Sequence, residues 1–156
     1  MDDLEDLYFE IHDSGDLIRL EFAKPNKIND DSMNDWDKNW IRVKVIIKAG
    51  AFNGHYWADF MTTDFELFKR DIKKIDQDFN GIGKFETLED QLNLSIKGDG
   101  IGHFELECIA KDNASFGSRL SFSLTFDQTE LKRLINELDK IIKAYPIKGD
   151  MNIKNE

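Results

Sequence analysis

The change of hydrophobic period along the chain is the feature that most constrains the fold. In "WIRVKVIIKA", residues 40–49, apolar and charged side chains alternate, which is typical of a half-buried β-strand. The apolar face of this segment comprises Ile41, Val43, Val45 and Ile47, and the polar face Arg42, Lys44 and Lys48. Similar short runs are "LYFEIH", "DLIRLEF", "AFNGHYWADF", "FET", "QLNLSIK", "IGHFELECIA" and "RLSFSLTF". The sequence therefore predicts about seven or eight strands.

Two longer segments have the 3.6-residue period of an amphipathic helix. The first runs over residues 63–79, with Thr63 and Glu66 at the spacing of a capping box. Its apolar stripe is Phe65, Phe68, Ile72, Ile75 and Phe79. The second runs over residues 127–145, between an Asp127 cap and Pro146, and the pattern predicts that its face from 131 to 142 is buried.

Short turns between the strands favour an antiparallel arrangement, because parallel strands need long crossover connections. The turns are Asp13-Ser14-Gly15, Gly50 and Asp99-Gly100. Glycines in "GIGKFE" and "GIGHFE" lack the third glycine of a dinucleotide-binding loop and are interpreted as turns and bulges. We expect an α+β fold, a mainly antiparallel sheet packed with two helices, in one domain over residues 1–148 with a frayed tail at 149–156.

The chain is acidic, with a formal net charge of −10. Residues 1–39 hold twelve Asp/Glu against four Lys/Arg, a net of −8, so most of the excess lies in the first quarter. Such a field disfavours nucleic acid and favours basic partners. One cysteine, an acidic N-terminus and no membrane-length apolar run indicate a cytoplasmic protein without a signal peptide or membrane contact.

The stretch "DDSMNDWDKNW", residues 30–40, has three interpretations: a metal loop, an acidic docking site or a solvated strand entrance. A calcium loop starting at Asp35 would need Gly at its sixth position and Glu at its twelfth, where Trp40 and Ile46 stand. The metal interpretation fails on that spacing. Trp40 adjoins the strand, and we expect its ring to pack into the core.

No pattern of catalytic or metal-binding residues is present in the sequence. His55 and Asp59 are about 13 Å apart if they lie on one strand, and no His pair has a ligand spacing. Cys108 alternates with apolar residues, which predicts a small buried side chain and not a nucleophile. Lys69, Arg70, Lys73 and Lys74 are interspersed with aspartates and are interpreted as a solvated helix face. The sequence thus predicts a non-enzyme without cofactor or metal.

The order of these segments resembles the WapI-type family of bacterial immunity proteins over residues 36–146. The resemblance is carried by "WDKNWIRVKV", "DFELFKRDIKKI", "GKFETLEDQLNLSIKGDG" and "LSFSLTFDQTELKRLINELDKIIKAYP". Its most specific parts are the Trp36/Trp40 entrance, "FETLE" at 85–89, "DQT" at 127–129 and Tyr145-Pro146. The family implies a cytoplasmic antidote that blocks the toxic C-terminal domain, often a nuclease, of a polymorphic or contact-delivered toxin.

An acidic loop with an aromatic anchor suits a basic toxin, because complementary charge increases association rates and Trp is enriched at binding hot spots. The predicted partner-binding residues are Asp30, Asp31, Asp35, Trp36 and Asp37. The alternative function is a binding module for another basic protein or a small ligand. The family supplies no site residues, and the sequence does not specify the toxin's chemistry or the oligomeric state.

Overall fold

The computed structural model describes residues 7–23 and 37–149. Its elements follow one another as four strands, a helix, four strands and a helix. They are β1 (Tyr8–Asp13), β2 (Asp16–Phe22), β3 (Trp40–Ala49), β4 (Phe52–Met61), α1 (Thr62–Asp78), β5 (Asn80–Phe85), β6 (Leu92–Asp99), β7 (His103–Lys111), β8 (Arg119–Asp127) and α2 (Leu131–Ala144). Short 3-10 turns at Asp37–Asn39 and Gln128–Glu130 precede β3 and α2.

The eight strands form two separate antiparallel sheets. Sheet 1 has the order β1-β2-β3-β4, and sheet 2 has the order β5-β6-β7-β8. Each neighbouring pair is also consecutive in sequence. The connections β1–β2, β3–β4 and β6–β7 are two or three residues long, as the turn signals predict, whereas β2 and β3 are separated by residues 23–39. The expectation of an α+β fold with mainly antiparallel sheet and two helices is confirmed.

The inner faces of both sheets and the apolar stripes of both helices form one core. The inner residues of β3 are at most 8% exposed, and those of β7 at most 5%. Phe85 of sheet 2 lies among rings from sheet 1 and α1, with centroid separations of 5.4 Å to Phe60 and 5.1 Å to Phe65. Such aromatic contacts add to area burial and hold the two sheets and α1 together.

The first turn has the geometry that its residues predict. Ser14 and Gly15 have φ angles of 51° and 94°, and Asp13 pairs directly with Asp16. Two successive left-handed residues are the signature of a type I′ hairpin, whose twist matches that of the strands. This two-residue turn fixes which backbone groups of β1 point away from β2.

The helix starts differ from the predicted capping boxes. In α1 the carboxylate of Asp64 accepts from the backbone N–H of Met61 at 2.9 Å, so Asp64 replaces the predicted Thr63–Glu66 pair. Asp127 accepts from Thr129 N at 2.9 Å, but it caps the 3-10 turn, and α2 itself begins only at Leu131. The predicted buried face of α2 is confirmed, since Leu131, Leu134, Leu138 and Ile141 are 0% exposed.

The segment before "FET" was assigned wrongly from its glycines. Gly81 and Gly83 lie within strand β5 and not in a turn, and the strand ends at Phe85. A Cβ on Gly83 would stand 3.0 Å from Ile75 Cδ1 and 3.2 Å from Asp71 Cβ. The absence of a side chain at Gly83 thus accommodates the close approach of α1 to β5.

Trp40 also differs from expectation. It is only partly buried, and it lies on the outer face of β3, opposite to the buried Ile41. The alternation that places Ile41 in the core places its neighbour outside it. Its predicted core position is wrong, and the ring belongs to the surface of sheet 1.

Each helix also covers one sheet edge with polar side chains. Glu137 of α2 accepts from Glu10 N at 3.0 Å, and Arg133 donates to Glu10 O at 2.9 Å. Asp71 of α1 likewise accepts from Lys84 N at 3.1 Å. These contacts satisfy outward backbone groups of edge strands β1 and β5, which would otherwise be available to another chain.

Candidate functional site

Most of the predicted docking residues lie outside the described residues. Asp30, Asp31, Asp35 and Trp36 belong to the segment 24–36, and Asp37 begins the 3-10 turn that leads into β3. Two residues further, Asn39 is 2% exposed and forms a two-way bridge to Lys148, donating to its carbonyl at 2.9 Å and accepting from its N–H at 2.8 Å. The C-terminal end of the stretch therefore has a structural role.

A second acidic surface lies where sheet 1 meets sheet 2. It is an open cleft of about 700 Å³ at the junction of the β1–β2 turn with the ends of β6, β7 and β8. We refer to it as the acidic cleft. Its polar lining consists of Asp13, Lys97, Asp99, His103, Glu105, Thr125 and Asp127.

Asp13 connects the two sheets at this cleft. Its Oδ2 accepts from the backbone N–H of Thr125 at 3.1 Å and from the Thr125 hydroxyl at 3.2 Å. The backbone donor is the largest cause that lowers the pKa of Asp13, followed by the Ser14 hydroxyl. The carboxylate is consequently held in place in its charged form.

Asp99 is fixed by the loop that it begins. Its Oδ1 accepts from Ile101 N at 2.8 Å and from His103 N at 3.0 Å, and its Oδ2 lies 3.1 Å from His103 Nδ1. The two backbone N–H groups lower the pKa of Asp99, that of Ile101 most. For Asp127 the hydroxyl and then the backbone N–H of Thr129 lower the pKa in the same way.

The three fixed aspartates suit electrostatic binding better than proton transfer. A general acid or base works best with a pKa near neutrality, and these pKa values are shifted in the opposite direction. Each carboxylate keeps acceptor capacity toward solvent, because ionised carboxylates accept several hydrogen bonds. The cleft therefore offers preorganised negative charge to a cationic ligand.

The carboxyl groups with raised pKa values lie elsewhere and have structural roles. Burial raises the pKa of Asp64 to about 6, where it caps α1, and burial also raises the pKa of Glu137 at the β1 edge. Burial likewise raises the pKa of the Cys108 thiol to about 12, and the prediction that this side chain is buried is confirmed. Among residues 7–23 and 37–149, no cluster of His, Cys, Asp and Glu has a metal-binding arrangement.

The remaining sequence candidates are distributed over separate surfaces. Asp59 pairs with Arg42 at 3.2 Å and not with His55, whose strand partner is Ile46. In the basic cluster of α1, Lys69 forms an ion pair of 2.7 Å with Asp139 of α2. Within the described part of the chain, no helix is long and apolar enough to cross a membrane.

The acidic cleft could not be found from the sequence. Asp13, Asp99 and Asp127 each have a local signal, as turn or cap residues, and each has that local role in the structure. Only the packing of the two sheets brings them together, because Asp13 belongs to β1 and the other two to sheet 2. The structure thus shows that the three aspartates line one cleft.

Comparison with known proteins decides the family. The model of the WapI-like immunity protein family matches residues 8–146, from the first residue of β1 to just beyond α2. This chain belongs to the WapI-like immunity protein family. The match extends to the N-terminal hairpin β1–β2, which lies before the region of sequence resemblance at 36–146.

Two further comparisons add little. No curated protein matches the sequence. Among solved structures, this chain is similar to the plant transcriptional regulator PBF-2, with a TM-score of 0.48 and 12% sequence identity. The alignment covers 88% of this chain and 81% of that one.

Proposed function

We propose that this WapI-like immunity protein acts by binding the toxic C-terminal domain of its cognate toxin and blocking it without catalysis. The observation that carries the proposal is the family match across residues 8–146. Family membership supports an immunity role, and such a role is one of binding. We further propose that it acts in the cytoplasm and that its toxin domain is basic, such as a nuclease.

Charge supports the basic character of the partner. The net charge of −10 attracts a basic domain over several ångströms and increases its association rate. The acidic cleft adds carboxylates held in fixed positions by backbone N–H groups. A cationic side chain that docks there meets a preorganised site, so less entropy is lost on binding.

Two acidic surfaces are candidates for the interface. The first is the docking loop proposed from the sequence, Asp30, Asp31, Asp35, Trp36 and Asp37. The second is the acidic cleft, at the end of sheet 1 where Gly50 N donates to Asp16 at 2.8 Å. Asp37, the described residue of that loop, precedes the start of β3, and the cleft adjoins the other end of β3, so about 30 Å of strand separates Asp37 from the cleft.

The test is co-purification with the C-terminal domain of a large secreted protein encoded next to this chain's gene. We expect a complex that survives gel filtration and restored growth of cells that express both proteins. If cells that express both proteins are not protected and no complex with that domain forms, the proposal is contradicted. Binding of an unrelated basic protein with equal affinity would favour the alternative of a general acidic binding module.

A further inference from the structure

The free edge of sheet 2 is the surface from which we draw one more inference. An edge strand carries outward backbone N–H and C=O groups, and natural proteins usually cover them. In this chain Glu137 and Arg133 occupy the outward groups of Glu10 on β1, and Asp71 accepts from Lys84 N on β5. The other two edges, β4 and β8, have no such cover from a helix among the described residues.

The direction of the backbone groups on β8 follows from Thr125. Its N–H donates to Asp13 on the neighbouring sheet, so it points away from β7. Backbone direction alternates along an antiparallel strand, so the N–H groups of Ser123 and Ser121 point the same way. Within residues 7–23 and 37–149, neither of these two groups has a partner outside sheet 2. We name residues 121–123 the open β8 edge; the cationic pair Arg119 and Lys111 lies just before it, at the end of β8 away from the acidic cleft.

The side chains beside this edge select a basic strand. Ser121 and Ser123 are small and exposed, and Ser123 pairs with Glu107 of β7, which is also exposed. A strand added to β8 would lie about 10 Å from β7, which is two strand spacings. A lysine or arginine on the added strand could therefore extend over the small Ser123 and reach Glu107. The acidic cleft continues the same surface at the other end of β8.

The β4 edge does not fit the same partner. Its outer face adjoins Arg42, Lys44 and Lys48 of β3, and one of these cations already pairs with Asp59. A lysine- or arginine-bearing strand would be repelled there. Charge therefore distinguishes the two uncovered edges and assigns the basic partner to β8.

We propose that the toxin domain binds by adding one of its extended, lysine- or arginine-containing strands to the open β8 edge, continuing sheet 2. This inference rests on the proposed function and specifies its interface. Backbone hydrogen bonds to Ser121 and Ser123 would supply affinity, and Glu107 with the acidic cleft would select for basic side chains. Strand addition requires no chemistry and no large rearrangement of this protein.

The test uses proline, which removes an N–H group but is tolerated at outward positions of an edge strand. We expect Ser121→Pro and Ser123→Pro each to weaken binding of the purified toxin domain at least tenfold. Ser121→Ala and Ser123→Ala, which keep the N–H, should bind within about twofold of the natural protein. The matched control is His55→Pro on β4, which should also bind normally.

Hydrogen exchange on the natural complex tests the same point without any variant. The amides of Ser121 and Ser123 should become protected when the toxin domain binds, while those of His55 and Trp57 should not change. If the natural protein binds but neither proline variant is weakened and β8 gains no protection, this inference is wrong and the proposed function stands. If the natural protein does not bind, the proposed function fails, and this inference fails with it.

Discussion

At the scale of single residues, Asp64 shows two opposing electrostatic effects at one carboxyl group. A carboxylate in the first turn of a helix is favoured by the helix dipole and here by the N–H of Met61. Burial disfavours the charge and dominates, raising the pKa of Asp64 from 3.8 to about 6. The folded protein therefore binds this proton more tightly than the unfolded chain does.

Asp64 predicts a pH dependence of stability with a definite sign. Between about pH 4 and pH 6 the folded state holds the proton that the unfolded state has lost, so the free energy of unfolding decreases as pH rises, by roughly 2–3 kcal/mol. Asp64→Asn keeps an acceptor for Met61 N, and it should be about 1–2 kcal/mol more stable than the natural protein at pH 7. Urea unfolding at pH 5 and pH 7 measures how the free energy of unfolding changes with pH in the natural protein and in the variant. An equal change in both proteins would contradict this explanation.

Cys108 is predicted to be chemically silent in the folded protein. Its side chain is 0% exposed and burial raises the pKa of its thiol to about 12, so almost no thiolate forms at neutral pH. Iodoacetamide should label it at least a hundredfold more slowly in buffer than in urea. Cys108→Ala should keep toxin protection wherever the protein folds, and a stable variant that lost protection would indicate a role for the thiol in function.

At the scale of elements, α2 provides the most direct test of the core. Leu138 is 0% exposed, in the middle of the helix face that packs on α1 and β1. Leu138→Ala should lower the free energy of unfolding by about 2–5 kcal/mol, because it leaves a cavity that cannot collapse fully. Lys140→Ala on the exposed face of the same helix is the control and should change it by less than about 0.5 kcal/mol.

The comparison of α2 with β5 shows what sequence pattern can and cannot predict. The helix has a long apolar stripe with one period, so its existence and its buried face follow from the residues alone. Strand β5 contains Gly81 and Gly83, which suggest a turn until Gly83 is seen against Ile75 of α1. Tertiary packing overrides local propensity there.

The same limit applies to the candidate interface. Local signals identify the turn at Asp13 and the cap at Asp127, since their bonding partners are near in sequence. The contact between Asp13 and Thr125 joins residues 112 positions apart, and nothing in either segment indicates it. Convergence of distant loops is a property of the fold, so the acidic cleft needed a structure.

At the scale of the whole molecule, acidic charge is concentrated in the first quarter of the sequence and in the acidic cleft. The N-terminal quarter with the docking loop has a net charge of −8, and the acidic cleft holds Asp13, Asp99, Glu105 and Asp127. Both surfaces would attract a basic domain from a distance, because long-range steering depends on total charge. If two variants have the same net charge, their association rates should differ strongly only when one set of substitutions lies in the surface that contacts the partner.

This difference gives a test of the docking loop. One variant replaces Asp30, Asp31, Asp35 and Asp37 with Asn, and its control neutralises four other acidic residues, Asp76, Asp78, Glu86 and Glu89. Each changes the net charge from −10 to −6, the difference being the four charges removed. If the loop is in the interface, the loop variant should associate with the toxin domain at least tenfold more slowly than the control at low salt. The difference should shrink at high salt, where screening shortens the range of the field.

Substitutions of Trp36 and Trp40 extend the test of the loop to the dissociation rate and to stability. Trp36→Ala should increase the dissociation rate if its ring is an anchor, because losses of hot-spot contacts appear mainly in that rate. Trp40→Ala, on the outer face of β3, should cost less stability than a core substitution, contrary to the expectation from sequence. Stopped-flow binding at two salt concentrations, with melting curves for every variant, measures these effects. Equal association rates for the loop variant and its control would show that the loop is not in the interface, because total charge alone would then account for the slower association.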